Sequence, residues 1–278
     1  MNPDRHAHPL VPTHSPDLFR GTAEYYSRFR PRYPPVLIDA IERTVGAGDP
    51  LLDLACGTGE VSLSLADRVT EIWAIDLEPE MVAVARRKAL DRGIGRVHWL
   101  VGRAEDAELP EGHFGLVAVG RAFHRLNRPL IARRSRRWLR AGGHFVDLGA
   151  ESSGLFEPSE PWHVAAADVY QRWLPRAHRS HDDMGSVAGP DRPKATSQAV
   201  LVEAGFEQVA KFEFAVPRVW EVDQFVGYLC STSFSSRDFW GDAWAGFEAD
   251  LRDTLAPLAP TGLLPETISA YFVVGRNP

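Results

Sequence analysis

The sequence predicts an α/β fold in which parallel strands alternate with helices, and three features support that prediction. Leu51–Leu54 is an apolar run that ends in a loop of small residues, and a segment with helical apolar periodicity follows. A second strand-like run ends in Asp76, 23 positions after Asp53. Phe114–Gly120 is almost continuously apolar, as expected for a strand buried on both faces of a parallel sheet.

The remaining elements follow from periodicity and from proline and glycine at element ends. Pro79 stands at the start of one predicted helix and Gly93 lies just beyond its end. The predicted helices cover residues 35–44, 61–68, 79–92, 130–140, 161–174, 195–204, 222–231 and 240–255. The further predicted strands cover residues 97–101, 144–148, 206–216 and 267–275.

The length and composition suit one large α/β domain with additions. The chain has 278 residues, of which 44% are hydrophobic and 24% charged. Residues 1–35 are predicted to form a mobile tail and an N-terminal cap, and residues 36–278 the main domain. The stretch after the fifth strand, at about 151–195, is the least regular and is predicted to be a lid over a substrate.

Charge and cysteine content narrow the expected partners and compartment. A formal net charge of −6 disfavours a nucleic-acid partner. Because no run of about 18 apolar residues exists, no membrane span is expected. The first residues lack the apolar core of a signal peptide, and Cys56 and Cys230 make no disulfide framework. A cytoplasmic location is therefore expected, and the sequence predicts no oligomeric state.

The loop after the first strand indicates which nucleotide the chain binds. Gly57 and Gly59 give the backbone the freedom that a close ligand approach requires. The loop lacks the Gly-Lys-Ser/Thr ending of a P-loop. Glu60 stands at the helix start, where a carboxylate would repel a pyrophosphate. An acid at the position of Asp76 suits a ribose diol. These features favour S-adenosyl-L-methionine (SAM), which carries an adenosine and a cation but no phosphate.

The same residues resemble a known family. Asp53-x-Ala55-x-Gly57-x-Gly59, then Asp76, then Ala104-Glu105-Asp106 resemble the class I SAM-dependent methyltransferases, in particular the small-molecule group called type 11. The resemblance covers roughly residues 20–150, and one departure is that the family's first loop glycine is Ala55. It implies a doubly wound, mostly parallel seven-stranded sheet in the order 3-2-1-4-5-7-6. It also implies SAM as cofactor and S-adenosyl-L-homocysteine as product.

The resemblance and the residue chemistry together predict the cofactor site. Arginine can bind the methionine carboxylate with two parallel hydrogen bonds, and aromatic faces attract a sulfonium cation. The family's Tyr/Arg/Pro segment closes over the cofactor, and its third-strand acid contacts the adenine, although helix capping is an equal alternative for that acid. The predicted cofactor-binding residues are Tyr26, Arg30, Tyr33, Asp53, Ala55, Gly57, Asp76, Leu77, Ala104, Glu105 and Gly120.

Catalytic and substrate residues are predicted beyond the fourth and fifth strands, where open α/β sheets bind ligands. His124 is the candidate general base, with a packing histidine as the alternative. The acidic and aromatic lid would suit a cationic or polyhydroxylated acceptor. The predicted substrate-binding residues are Glu151, His163, Tyr170, His181 and Asp182. No spacing matches a metal motif, so no metal is expected.

The predicted function is SAM-dependent methylation of an amine or hydroxyl of a small molecule. A more distant resemblance, to antibiotic-tailoring N-methyltransferases of aminoglycosides such as gentamicin, suggests an amino sugar as the acceptor. Two alternatives stay open: a C- or O-methyltransferase of an apolar aromatic or quinone substrate, and a SAM-binding module without transfer activity. A nucleic-acid methyltransferase is disfavoured because Gly120-Arg121-Ala122-Phe123 replaces an Asn/Asp-Pro-Pro-Tyr motif.

Overall fold

Seven strands form one sheet in a computed structural model that describes residues 22–152, 155–156, 158–177, 195–232 and 234–278. The order is β3-β2-β1-β4-β5-β7-β6, which confirms the order implied by the resemblance. β7 pairs antiparallel with both β5 and β6, and the other pairs are parallel. The strands are β1 Leu51–Leu54, β2 Ile72–Asp76, β3 Val97–Val101, β4 Phe114–Gly120, β5 Leu139–Glu151, β6 Glu207–Glu221 and β7 Leu263–Arg276.

Apart from two short helices that begin outside the predicted ones, Ala23–Phe29 and Arg237–Trp240, the helices follow the predicted positions with small shifts at their ends. They are α1 Ala23–Phe29, α2 Pro35–Val45, α3 Glu60–Leu65, α4 Pro79–Asp91, α5 Arg128–Trp138, α6 Pro161–Trp173, α7 Ser197–Glu203, α8 Val222–Cys230, α9 Arg237–Trp240 and α10 Trp244–Leu255. The single helix predicted over 240–255 is wrong at its start. Gly241 has φ +56°, which ends α9, and a 3₁₀ turn leads into α10.

Helices cover both faces of the sheet because its central strands are mainly apolar and buried on both faces. Every residue of β1 is buried, as is every residue of β4 except Gly120. On one face, Leu37 and Ile41 of α2 pack on the sheet. On the other face, Ile131 of α5 and Leu201 of α7 do the same. With both faces covered, the site described below lies at an edge of the sheet, at the carboxyl ends of β1, β2 and β4.

A second core lies outside the sheet and is mainly aromatic. We call it the helical lobe, formed by α6, α8, α9 and α10 together with Trp220 and Leu264 at the outer ends of β6 and β7. Those two strands run longer than the sequence predicted, because they stay paired with each other beyond the end of β5 and carry the lobe there. The described part of the predicted lid, within 151–195, contributes α6 to this lobe.

Three further features bear on the sequence predictions. Within the described ranges, no helix has both the length and the hydropathy needed to cross a bilayer. Cys56 and Cys230 are both buried free thiols. Residues 22–34, which contain α1, lie against the loop after β1 and are called the cap from here on.

Candidate cofactor site

The loop between β1 and α3 turns sharply through left-handed backbone conformations. Ala55, Gly57 and Gly59 have φ values of +54°, +53° and +81°. A Cβ on Gly59 would lie 3.2 Å from Cβ of Ala85 and 3.3 Å from Cη2 of Trp99, so this position also has little room for a side chain. The predicted glycine loop is present, and Ala55 adopts a conformation that is less costly for glycine.

Asp76 at the end of β2 holds this loop in place. Its Oδ2 accepts a hydrogen bond from the Gly57 backbone N–H at 2.7 Å, and its Oδ1 accepts one from the Glu78 N–H at 2.9 Å. Burial raises the pKa of this carboxyl, while these backbone donors act in the opposite direction. Each carboxylate oxygen has two lone pairs, so Asp76 keeps acceptor capacity for the two hydroxyls of a ribose.

Asp53 of β1 is fully buried and is the second carboxyl, after Asp76, that holds the loop in place. Its Oδ2 accepts hydrogen bonds from the Ser62 N–H at 3.0 Å and the Ser62 Oγ at 2.6 Å. Burial raises the pKa of Asp53 to about 7, despite these two donors. The Asp53 carboxyl therefore fixes the first turn of α3, and the predicted contact between Asp53 and the cofactor stays a prediction.

The negative charge of Glu60 is offset in the folded structure, which the sequence analysis did not predict. Its carboxylate forms an ion pair with the Nζ of Lys88 and accepts a hydrogen bond from Thr58 Oγ1 at 3.1 Å. The neighbouring ammonium offsets much of the charge that was expected to repel a pyrophosphate. The fit to SAM consequently depends on the loop backbone, Asp76 and the aromatic cap more than on repulsion by Glu60.

The cap brings an aromatic ring and a guanidinium to the loop. A Cβ on Gly57 would lie 3.8 Å from Cε1 of Tyr26, so the Tyr26 ring borders the loop. The Arg30 guanidinium lies 4.9 Å from the centroid of the Tyr26 ring and 5.2 Å from that of Tyr228. This is the combination of aromatic face and cation that a sulfonium amino acid with a carboxylate would use.

The end of β4 lies directly beneath the cap. A Cβ on Gly120 would lie 2.6 Å from Cγ2 of Val61 and closer still to Oη of Tyr33, so only glycine fits there. Arg121 follows with φ +57°, and its guanidinium lies 4.4 Å from the centroid of the Tyr33 ring. The predicted pair of Tyr33 and Gly120 is therefore in contact, next to an arginine that the sequence analysis did not single out.

The predicted adenine contacts are placed less directly. Ala104 is buried, and Leu77 is exposed just beyond β2. Oε1 of Glu105 accepts a hydrogen bond from the backbone N–H of Asn127, the N-cap of α5, at 3.0 Å. This geometry supports the capping alternative for Glu105, and the adenine contact stays a prediction.

The predicted catalytic and substrate residues do not form one cluster. His124 is exposed in a 3₁₀ turn just beyond Gly120. Glu151 is the last residue of β5, whereas His163 and Tyr170 are fully buried in the helical lobe. His163 bonds to Glu266 at 3.1 Å, and the Tyr170 hydroxyl donates to the Phe234 carbonyl at 2.7 Å.

Their burial gives His163 and Tyr170 a packing role, so substrate contact by either stays a prediction. His181 and Asp182 lie outside the described residues. Within the part of the chain that the structure describes, no three His, Cys, Asp or Glu side chains are grouped as a metal ion would require.

Three residues near the site were not among the predicted site residues: Arg121, Tyr228 and Lys88. Tyr228 and Lys88 reach the site from distant helices, and no local pattern marks them. Arg121 had a usable signal, because it directly follows the glycine that ends the fourth strand.

Comparison with known proteins agrees with this geometry. Residues 51–143 match the family described as a methyltransferase domain. The chain is 29% identical over 178 residues to a ubiquinone/menaquinone biosynthesis C-methyltransferase of Shewanella sp. (strain ANA-3), covering 58% of this chain and 68% of that protein. It is 24% identical over 224 residues to a candidate methyltransferase of Dictyostelium discoideum, covering 80% and 79%.

Solved structures share the fold. A candidate type II methyltransferase of Anaeromyxobacter dehalogenans has a TM-score of 0.61 at 23% identity, covering 90% of this chain and 98% of that one. Phosphoethanolamine N-methyltransferase 2 of Haemonchus contortus, solved with SAM, has a TM-score of 0.54 at 14% identity, covering 94% and 59%.

The glycine loop, the acid that ends β2 and the strand order thus agree with the matched family. The chain is a SAM-dependent methyltransferase with the sheet order of the class I fold, and S-adenosyl-L-methionine is its cofactor.

Proposed function

We propose that this enzyme methylates an amine or a hydroxyl of a small molecule and that His124 receives the proton of the acceptor. The observation that carries the proposal is the position of His124. It is an exposed imidazole in the turn just beyond Gly120, at the edge where open α/β sheets bind their ligands. An imidazole exchanges protons readily near neutral pH.

The residues of the site would act mainly by alignment. SAM supplies a methyl group on a sulfonium sulfur, which leaves as the thioether S-adenosyl-L-homocysteine. Asp76 and the Gly57 backbone would hold the nucleoside end of bound SAM, and the rings of Tyr26 and Tyr33 border the site from the cap. Holding two reactants in line can contribute about 7–11 kcal/mol to lowering the barrier. His124 takes the proton that the attacking nitrogen or oxygen loses.

An amino sugar of an antibiotic is one member of the proposed acceptor class. It rests on the distant resemblance to aminoglycoside N-methyltransferases and on the acidic character of the stretch 151–195. Glu151, at the end of β5, is the described residue nearest in sequence to the edge where such a cation would bind. The contacts proposed for His181 and Asp182 belong to the same hypothesis.

A second candidate is transfer to carbon of an apolar aromatic or quinol ring. Relatives described as ubiquinone/menaquinone biosynthesis C-methyltransferases favour it. So does Phe156, an exposed ring shortly after β5 that packs edge-on against Phe234 with centroids 4.9 Å apart. A flat apolar acceptor would find contact area there.

A screen with radiolabelled methyl donor separates these candidates. The panel is an aminoglycoside, a catechol and a naphthoquinol, with the labelled product identified by its chromatographic position and by mass. Label on nitrogen or oxygen supports the first proposal, and label on ring carbon supports the second. Absence of label on all three panel compounds, with an enzyme that binds SAM, would contradict both candidates.

His124→Gln tests the base with the acceptor that the screen identifies. We expect kcat to fall about 10²–10⁴-fold, because a positioned base is worth that much, with the Kd for SAM unchanged. The matched control is His98→Gln, another exposed histidine, located on β3. Unchanged turnover in His124→Gln would exclude the proton-accepting role.

A further inference from the structure

Arg121 joins the cap to the ends of two strands. Its Nη2 donates to the carbonyl oxygen of Pro31 in the cap and to that of Ala150 near the end of β5, both at 2.9 Å. Its backbone N–H donates to the carbonyl of Leu148 at 2.9 Å. One side chain therefore connects the cap, β4 and β5 at the edge of the sheet that holds the cofactor site.

The same guanidinium also holds the cap ring that touches Gly120. It lies 4.4 Å from the centroid of Tyr33, whose side chain is buried. A guanidinium over an aromatic face is attracted to the ring, and more strongly where water is excluded. The Tyr33 hydroxyl lies where a Cβ of Gly120 would be, so the position of the Tyr33 ring defines the wall above the end of β4.

The backbone of Arg121 shows that this arrangement has a cost. Its φ of +57° lies in the left-handed region, which is unfavourable for a residue with a Cβ and a long side chain. Such conformations persist where surrounding contacts fix them, and they concentrate at functional sites. Glycine would adopt this backbone without strain, yet the chain has arginine.

We infer that Arg121 is the positioning residue that latches the cap over bound SAM. When its guanidinium is in place, Pro31 and Tyr33 are fixed against the ends of β4 and β5, and the cap then holds Tyr26 beside the glycine loop. This inference concerns cofactor binding, so it is independent of the acceptor proposed above.

Arg121→Gly separates a latch from a merely structural role. A structural role predicts that the variant unfolds at lower temperature. The latch predicts that the melting temperature without ligand is kept, because glycine relieves the left-handed strain, while the Kd for SAM rises at least 10-fold. Titration calorimetry with SAM and with S-adenosyl-L-homocysteine should give the same loss for both, since both carry the adenosyl amino acid that the cap covers.

Gln208→Gly is the matched control. Gln208 also has a positive φ, +50°, but it lies at a bulge in β6, away from the cap. It should leave the Kd for SAM unchanged. Arg121→Lys keeps a donor for the carbonyls without the planar stack and should recover part of the affinity.

A double-mutant cycle with Tyr33→Leu tests the stacked pair. If the ring and the guanidinium act together, the loss of SAM affinity in the double variant is smaller than the product of the two single losses. A Kd for SAM in Arg121→Gly within twofold of the wild type overturns the inference. So does a loss of affinity that appears only together with a lower melting temperature, or independent effects of the two substitutions.

Discussion

Two regions of the molecule depend on different features of the sequence. They are the cofactor half of the sheet, which is β1, β2 and β4 with the loops that follow them, and the helical lobe. In the first, short strands lead into loops whose backbone conformations are set by a few residues, such as Gly57 and Asp76. In the second, side chains from α6, α8 and α10 meet across long sequence distances around Tyr170 and Trp240. Backbone geometry positions ligand groups in the first region, and ring packing gives shape to the second.

The two regions also bury carboxyl groups differently. In the sheet, Asp147 accepts a side-chain hydrogen bond from Ser197 Oγ at 2.6 Å, and burial raises its pKa to about 6. At the lobe junction, Glu266 accepts hydrogen bonds from Trp220 Nε1 at 2.6 Å and from Ser152 Oγ at 2.7 Å. Although burial alone would raise the pKa of Glu266, donors that include His163 lower it.

The largest predicted effect tests whether the cofactor half alone controls SAM affinity. Asp76→Ala removes the acceptor of the Gly57 and Glu78 backbone N–H groups and, with it, the acid that is predicted to bind the ribose. Each lost charge-assisted bond is worth about 1.5–3 kcal/mol, so we expect the Kd for SAM to rise by about 1,000-fold or more. Titration calorimetry measures it directly.

Glu71→Ala is the control for Asp76→Ala. Glu71 immediately precedes β2 and interacts with His98 and His113 at the opposite end of the strand. Its loss should leave the Kd for SAM within twofold of the wild type. Comparable losses of affinity in the two variants would mean that the effect comes from a weakened β2 and not from the site.

The second prediction contrasts the two buried carboxyls. The pKa of Asp147 is higher in the folded than in the unfolded protein, so its charge opposes folding more as pH rises from about 4 to about 6. Asp147→Asn should therefore raise the free energy of unfolding at pH 8 by up to about 3 kcal/mol, since a shift of one pKa unit corresponds to 1.36 kcal/mol. It should give no gain below pH 4.

Glu266→Gln should act in the opposite direction. The lowered pKa of Glu266 means that its charged form stabilises the fold at neutral pH, and that this contribution is lost on acidification. The amide would place a donor against a buried donor, so we expect a loss of about 3 kcal/mol at pH 8. Denaturant titrations of both variants at pH 4 and pH 8 measure these effects. If both variants changed the free energy of unfolding at pH 8 in the same direction, the predicted difference between the two carboxyls would be contradicted.

The third prediction tests whether the lobe can be disturbed without changing the cofactor site. A Cβ on Gly246 of α10 would lie 2.8 Å from Cζ3 of Trp173. Overfilling a packed core costs about 1–3 kcal/mol, so Gly246→Ala should lose about 2 kcal/mol of unfolding free energy. Chemical denaturation gives this value, and calorimetry should show an unchanged Kd for SAM.

Gly95→Ala is the control for Gly246→Ala, because among the described residues no atom beyond Gly95 and its two chain neighbours lies within 4 Å of its Cβ position. It should change neither stability nor affinity appreciably. If Gly246→Ala also weakened SAM binding, the lobe and the cofactor half could not be treated as separately built regions.

The same division explains what the sequence could predict. The glycine loop and Asp76 were predictable, because a short pattern of apolar run, small residues and acid marks each. The strand order was implied by the family resemblance that these residues carry. The role of Glu266 was not, since its donors Ser152, His163 and Trp220 come together only in the folded chain. His163 shows why residue type alone does not identify a substrate site. It was predicted to bind the substrate because histidine suits that role, but its side chain is buried inside the lobe.

The smallest predicted effect concerns the loop residue that departs from the family pattern. Ala55 has φ +54°, where alanine is strained by about 1–2 kcal/mol and glycine is not. Glycine, however, also increases the conformational entropy of the unfolded chain, which lowers the free energy of unfolding by about 0.4–1 kcal/mol. Ala55→Gly should therefore be neutral or raise the free energy of unfolding by up to about 1.6 kcal/mol. The same change at exposed Ala83 in α4 should lower it by about 1 kcal/mol. Denaturant titration resolves a difference of this size, and equal destabilisation at both positions would contradict the left-handed conformation of Ala55.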